Sequence, residues 1–270
     1  MTSVWGRPGL RGGAVLGAVT ACGLLLFLWP FAGADAPPAA APLAIMLGGI
    51  AVLVFIELST RKLDARRFAL LGAVAAIDAA LRLVLVTGIG GFSPVFFLIL
   101  VTGYVYGPSF GFLCGATSLL ASSIATGGIG PWLPYETFAC GWMGAAAGLA
   151  GLHRGDAQPS WRDIAVLAAV AVFSGYAYGA LLDIWDWTVF YRGTPSFGFI
   201  TQADVATQLQ RFTRFYLTTS AAWDSFRAAG DALAVIVLGA PVMAALARIR
   251  SRMSFTVASA GASQPMSPPA

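Results

Sequence analysis

Charge is what this sequence has least of. Only 10% of its 270 residues are Asp, Glu, Lys or Arg, while 58% are hydrophobic; a soluble domain carries about 25% charged residues. A chain so short of charge cannot cover a water-facing surface, and it reads as an integral membrane protein. Lysine occurs once, as Lys62 in Arg61-Lys62-Leu63-Asp64, with no glycine loop before it. A phosphate-binding loop needs Gly-x-x-x-x-Gly-Lys-Ser/Thr, whose lysine reaches the phosphates, so the chain cannot be its own P-loop ATPase. Histidine also occurs once, as His153 beside Arg154. That leaves no Ser–His arrangement and no His/Cys/Asp cluster with metal spacing, and no cofactor or metal is expected. Cys22, Cys114 and Cys140 each sit alone in an apolar run, which excludes a disulfide framework and predicts small buried hydrophobes. The net charge of +4 belongs to loop topology and not to nucleic acid. No internal repeat is visible, which counts against an inverted-repeat carrier.

What is there is a series of apolar runs. A membrane helix needs about 20 mostly apolar residues, and eight segments qualify as candidates: 12–32, 41–59, 67–88, 94–106, 108–126, 135–152, 162–183 and 222–248. Positive loop charge orients them. With the N-terminus inside, the cytoplasmic face receives Arg7, Arg11, Arg61, Lys62, Arg66, Arg67, Arg154, Arg162, Arg248, Arg250 and Arg252, and the external face only Arg192, Arg211 and Arg214. The expected fold is therefore an all-α polytopic membrane protein, N-in and C-in. Residues 1–64 form two additional N-terminal helices, 65–252 a six-helix unit, and 253–270 a Ser/Ala/Pro-rich cytoplasmic tail expected to be unstructured. The first segment also imitates a secretory signal with Ala34-Asp35-Ala36 as its cleavage site, although its apolar run is longer than the usual 7–15 residues; a retained helix is the favoured reading.

Glycine and proline punctuate the middle of the chain. Ser93-Pro94 is a helix start and Gly107-Pro108 a stop, which limits the fourth segment to about 20 Å. Gly103, Gly107, Gly111 and Gly115 recur every fourth residue, and Gly144 and Gly148 repeat the spacing, a pattern that lets helix backbones approach closely. Between the fifth and sixth segments stands "ATGGIGPWLP", residues 125–134, an uncharged and bend-rich loop assigned to the external face.

These elements together resemble the substrate-binding membrane subunit, the S component, of an energy-coupling-factor vitamin transporter. The resemblance rests on Ser93-Pro94, Tyr106-Gly107-Pro108-x-x-Gly111-Phe112, Gly127-Gly128-x-Gly130-Pro131-Trp132-x-Pro134, and Gly141-x-x-Gly144. The helix "WDSFRAAGDALAVIVLGAPVMAALARIR" resembles the last helix of one branch of that family. The likeness covers about residues 65–250, and the two N-terminal helices depart from the usual six-helix unit. It implies a subunit of the bacterial plasma membrane that binds a vitamin-like micronutrient at the external face, with a corrinoid such as cobalamin the first expectation. It also implies a transmembrane coupling subunit and two ATPase subunits as partners. The family's docking strip, Ala-x-x-x-Ala, corresponds here to Ala69 and Ala73, with Gly72 and Ala76 beside them.

Intramembrane charge supplies the candidate binding residues. Burying a charge at the bilayer centre costs about 2.5–3.5 kcal/mol on insertion scales, so such groups pair or face a wet cavity. Asp78 and Arg82 are spaced for an i,i+4 ion pair, as are Arg227 and Asp231, with Asp224 preceding them; a cross-link between Arg82 and Asp231 is a further option. Equally, Arg82 and Arg227 could face a ligand. Glu136, Asp183 and Asp186 reach the same external level, where Trp132, Tyr135, Trp185, Trp187 and Trp223 would form an aromatic rim. The loop is then a lid or wall: Gly127, Gly128 and Gly130 permit unusual backbone angles, Pro131 and Pro134 restrict them, and Trp132 offers a flat face to a ring-bearing solute. The connection 184–221 forms a second wall, in which Thr201 and Asp204 look like a cap pair. There Val205, Leu209, Phe212 and Tyr216 share one helical face, and Arg211 and Arg214 point toward lipid headgroups. The rivals are a self-contained channel or proton-coupled carrier, a structural membrane protein, and an intramembrane enzyme in which Asp78 and Asp231 share a proton.

Overall fold

The computed structural model describes residues 10–59, 65–84, 93–153 and 158–253. The expected terminal tail and the loop charges Arg7, Arg61, Lys62 and Arg154 lie outside them. The described chain is helical: α1 (Leu10–Leu28), α2 (Ala40–Ser59), α3 (Ala65–Val84), α4 (Pro94–Tyr106), α5 (Pro108–Thr126), α6 (Leu133–Ala150), α7 (Trp161–Phe190), α8 (Val205–Thr219) and α9 (Ala221–Met253). Each of the eight apolar segments is a helix, so the architecture is that of an all-α polytopic membrane protein. Four of them, α2, α5, α7 and α9, are long and apolar enough on their own to cross a membrane. α7 and α9 overrun their expected ends, and at about 1.5 Å per residue both exceed the hydrocarbon thickness of about 30 Å.

The punctuation acts as its chemistry requires. Ser93 is extended, Pro94 opens α4, and a proline at the first helical position forfeits only an N–H that has no helical partner anyway. Gly107 closes α4 with φ 96°, a conformation that a side chain would strain, and α5 begins at once with Pro108. α4 is buried almost throughout, against α5, α6 and α9. The recurrent glycines are the seam between these helices. A Cβ on Gly103 or Gly111 would overlap the carbonyl of Gly144, one on Gly115 would overlap that of Cys140, and one on Gly148 would strike the Gly107–Pro108 backbone. Backbone therefore lies on backbone, and dispersion over that contact replaces the hydrophobic drive that lipid does not supply. Cys114 and Cys140 are buried as expected, whereas Cys22 is exposed on α1.

One end of the bundle is tied by satisfied polar groups. The Tyr104 hydroxyl donates to Asp163 Oδ1 at 2.9 Å, the Tyr106 hydroxyl to the Leu246 carbonyl at 2.9 Å, and Arg250 to the Val105 carbonyl at 2.6 Å. Ser160 and Asp163 form a reciprocal capping box at the start of α7, satisfying two otherwise unpaired N–H groups. Gly12 lies against Glu57 and Ser109, so the start of α1, the end of α2 and the start of α5 share this Arg250 end.

The opposite end carries the loop and the long connection. The two N-terminal helices pack against each other and against α5 and α6. Phe27 meets Tyr135 edge-on at 5.3 Å and Trp142 at 5.4 Å. Just beyond α1, Trp29 and Phe31 join a second apolar cluster built on Trp187, Phe199 and Phe215. Trp187 is thus fully buried and is no part of an exposed rim. The cap of α8 is Asp204 and not Thr201: its carboxylate accepts from the Thr207 N–H at 3.0 Å. The Thr207 hydroxyl and backbone hold this exposed carboxyl below its ordinary range. The inner face of α8 is formed by Gln208 and Phe215, with Phe212 packed beside them, while Val205 and Leu209 are exposed. The reason is local: Gln208 Nε2 donates to the Ile200 carbonyl at 2.5 Å, so the connection, and not the apolar count, sets the helix rotation. Arg211 likewise donates to the carbonyls of Gly198, Thr194 and Pro195 instead of facing outward; Arg214 is exposed.

Candidate functional site at the Trp132 end

α5 ends at Thr126 because Gly127 turns left-handed, with φ 69°; Gly128 and Gly130 keep negative φ, so only one of the three expected unusual angles is present. Gly130 instead gives room to the Trp132 ring, which a Cβ there would overlap. Trp132 is half-buried and meets Trp185 edge-on at 5.9 Å. Tyr135, buried one turn into α6, lies 6.4 Å from the same Trp185 ring. Pro131 is exposed at the tip. Loop, α6 and α7 therefore bring Trp132, Tyr135 and Trp185 together, and Trp223 stands half-exposed at the start of α9.

The charged residues gather beneath these rings, in pairings other than those expected. Arg82 does not pair with Asp78; it donates to Ser122 Oγ at 2.9 Å. Both Asp78 oxygens are buried without a hydrogen-bond partner, with the Ser118 hydroxyl near them. The i,i+4 spacing allowed the pair, but Ser122 on the neighbouring helix draws Arg82 away. Arg227 forms its salt bridge with Asp224, at i,i+3, and not with Asp231. It also donates to the Gly175 carbonyl at 3.3 Å and lies over the Tyr178 ring, 5.2 Å from its centroid, within cation–π range. Both Asp231 oxygens are buried and unpartnered, so the cross-link from Arg82 is not formed either. Asp224 accepts a second bond from the Tyr216 hydroxyl at 3.0 Å and presses on Gly179, where no Cβ would fit.

Glu136 follows Tyr135 in the first turn of α6, and Asp183 and Asp186 flank Trp185 near the end of α7, with Asp183 buried. Tyr178 is buried on α7 between the Arg227 guanidinium and the Phe96 ring. Sequence spacing missed Tyr178, Ser122 and Tyr216. Gly175 and Gly179, flanking Tyr178 at a four-residue interval, were the available sign that α9 approaches α7 there. Among the described residues no group of three or more His, Cys, Asp or Glu side chains is placed to hold a metal ion. An open apolar groove of about 560 Å³ runs along α9 between Phe226 and Leu238, but its lining comes from that single helix.

A family model described as the substrate-specific component of ECF transporters matches residues 66–246. The chain belongs to that family. The matched span opens within α3 and closes within α9, so it contains every residue of the site just described and excludes the two N-terminal helices. No curated protein and no solved structure matches. An S component is a substrate-specific transporter subunit and not an enzyme, and it works on a coupling subunit with ATPases in a multi-pass membrane complex. In this S component the strip expected to dock is open: Ala69, Gly72, Ala73 and Ala76 are all exposed, with nothing near the position of a Gly72 Cβ.

Proposed function

We propose that this S component captures a ring-bearing, vitamin-like micronutrient at its Trp132 end, facing the outside of a bacterial plasma membrane. It then delivers the solute through a complex whose ATPases supply the energy. The observation that carries the site is the meeting of Trp132, Tyr135 and Trp185 above buried carboxylate oxygens of Glu136 and Asp183 that have no partner. Buried polar atoms are nearly always satisfied; here a bound solute completes them. Trp132, Pro131 and Trp185 form the wall, Glu136, Asp186 and Asp224 the polar hooks, and Arg82, Arg227 and Asp231 the charged floor. Ala69, Gly72, Ala73 and Ala76 give the coupling subunit a flat strip for close helix contact. The corrinoid expectation rests on resemblance to one branch alone.

The test is purification of the full chain in mild detergent, followed by mass spectrometry of the small molecule released on denaturation. A stoichiometric, unmodified solute supports the reading. A chemically altered product points to an enzyme. Uptake into vesicles that contain this chain without partner subunits or ATP supports a self-contained carrier.

A further inference from the structure

The sign of the charge around the Trp132 end narrows the solute. Glu136 at the start of α6, Asp183 and Asp186 near the end of α7, and Asp224 at the start of α9 place four carboxylates at this end of the bundle. They are met by two guanidiniums, Arg82 and Arg227. Both guanidiniums are already engaged. Arg82 donates to Ser122 Oγ and lies in the field of Glu136; Arg227 is held by Asp224, the Gly175 carbonyl and the Tyr178 ring. Asp231 adds a further carboxylate beside Arg227. Two carboxylates are under-used: Asp183, only 8% exposed, has a buried Oδ2 with no partner, and Glu136 has a buried Oε2 in the same state. An ionised carboxylate can only accept hydrogen bonds, and burying one without a counter-charge is expensive.

We infer that the solute carries a positive charge, as a ring cation or a protonated amine on a ring, bound between these carboxylates and the Trp132–Trp185 pair. The inference rests on the proposed binding role of this end. A cation supplies donors to Glu136 Oε2 and Asp183 Oδ2, which have none, and adds positive charge where carboxylates outnumber guanidiniums. Indole faces attract cations more strongly than phenol or benzene rings do, and Trp132 and Trp185 stand 5.9 Å apart in an edge-on pair beside the acidic groups. An anionic solute would meet an excess of like charge with no disengaged guanidinium to receive it. A neutral solute could donate to both oxygens but would bring no counter-charge.

The experiment measures tryptophan fluorescence of the full chain in detergent against three probes that share a ring and differ in charge: 1-methylnicotinamide (a pyridinium cation), nicotinamide (neutral) and nicotinate (anion). The copurified solute is identified in parallel. The inference expects the cation to bind more tightly than the anion by at least about tenfold, and the copurified solute to be cationic at pH 7. Glu136→Gln and, at a more accessible position, Asp186→Asn should each weaken the cationic probe severalfold more than the neutral probe. A flat or reversed probe order, or a copurified corrinoid or anion, overturns the charge assignment and leaves the import reading intact. No response to any probe together with no copurified solute overturns both.

Discussion

The two ends of the bundle differ in where carboxylate oxygens are left unpaired. At the Arg250 end, Tyr104, Tyr106, Asp163 and Arg250 each reach a partner across helices. At the Trp132 end, Glu136 and Asp183 keep buried oxygens unpaired, and deeper in the bundle so do Asp78 and Asp231. Satisfied buried polar groups fix one arrangement of helices. Unsatisfied ones are a cost that persists where a ligand or a partner removes it. On the proposed function, stability is concentrated at one end and recognition at the other, so substitutions at the two should separate into those that move melting temperature and those that move affinity.

The largest effect should come from the flank of the Arg250 half. Ala69→Trp combined with Ala73→Trp places two indoles on the open strip of α3 and should abolish capture of the coupling and ATPase subunits in a pull-down. Melting temperature and solute binding should stay as they are; an intact complex would show that the strip is not the docking surface. Next comes Trp132→Ala, expected to weaken solute binding roughly tenfold in a titration while melting temperature stays within a degree or two. If affinity is unchanged, the loop is no wall. Arg250→Ala should do the reverse, lowering melting temperature by roughly 5 °C with solute affinity preserved, because the Val105 carbonyl loses its charged donor. Loss of affinity in that variant would dissolve the distinction between the ends. The smallest effect is a pH response in α8. Hydrogen bonds depress the Asp204 carboxyl, so its cap contributes above the ordinary aspartate range and is lost as pH falls through the lowered value. Amide protection in the first turn of α8, measured against the intrinsic exchange rate at each pH, should fall on acidification, and Asp204→Asn should remove that pH dependence.

Much of the fold was legible because glycine and proline act locally. Ser93-Pro94 and Gly107-Pro108 set the limits of α4 whatever surrounds them, and the four-residue glycine spacing predicted the α4–α5–α6 seam without knowing which carbonyls would fill it. Which charged residues lie toward the Trp132 end was legible, but their pairing was not. Arg82, Asp224 and Arg227 gather where apolar depth placed them, yet spacing along one helix cannot reveal that Ser122 on another helix outcompetes Asp78, or that Arg227 closes on Asp224 one turn before Asp231. The rotation of α8 was hidden for the same reason, since a glutamine, Gln208, occupies its inner face by reaching a loop carbonyl. The aromatic residues of the first connection, Trp29 and Phe31, carried no local sign that they would close over Trp187.

The brevity of α4 has a consequence for biosynthesis. Thirteen residues rise about 20 Å, short of the hydrocarbon layer, and nearly all of their side chains end against protein. Such a segment gains little by resting alone in lipid while the ribosome is still at work. It must enter with α5, as a folded-back pair hinged at Gly107, and it becomes a settled part of the membrane protein only when α6 and α9 arrive to enclose it.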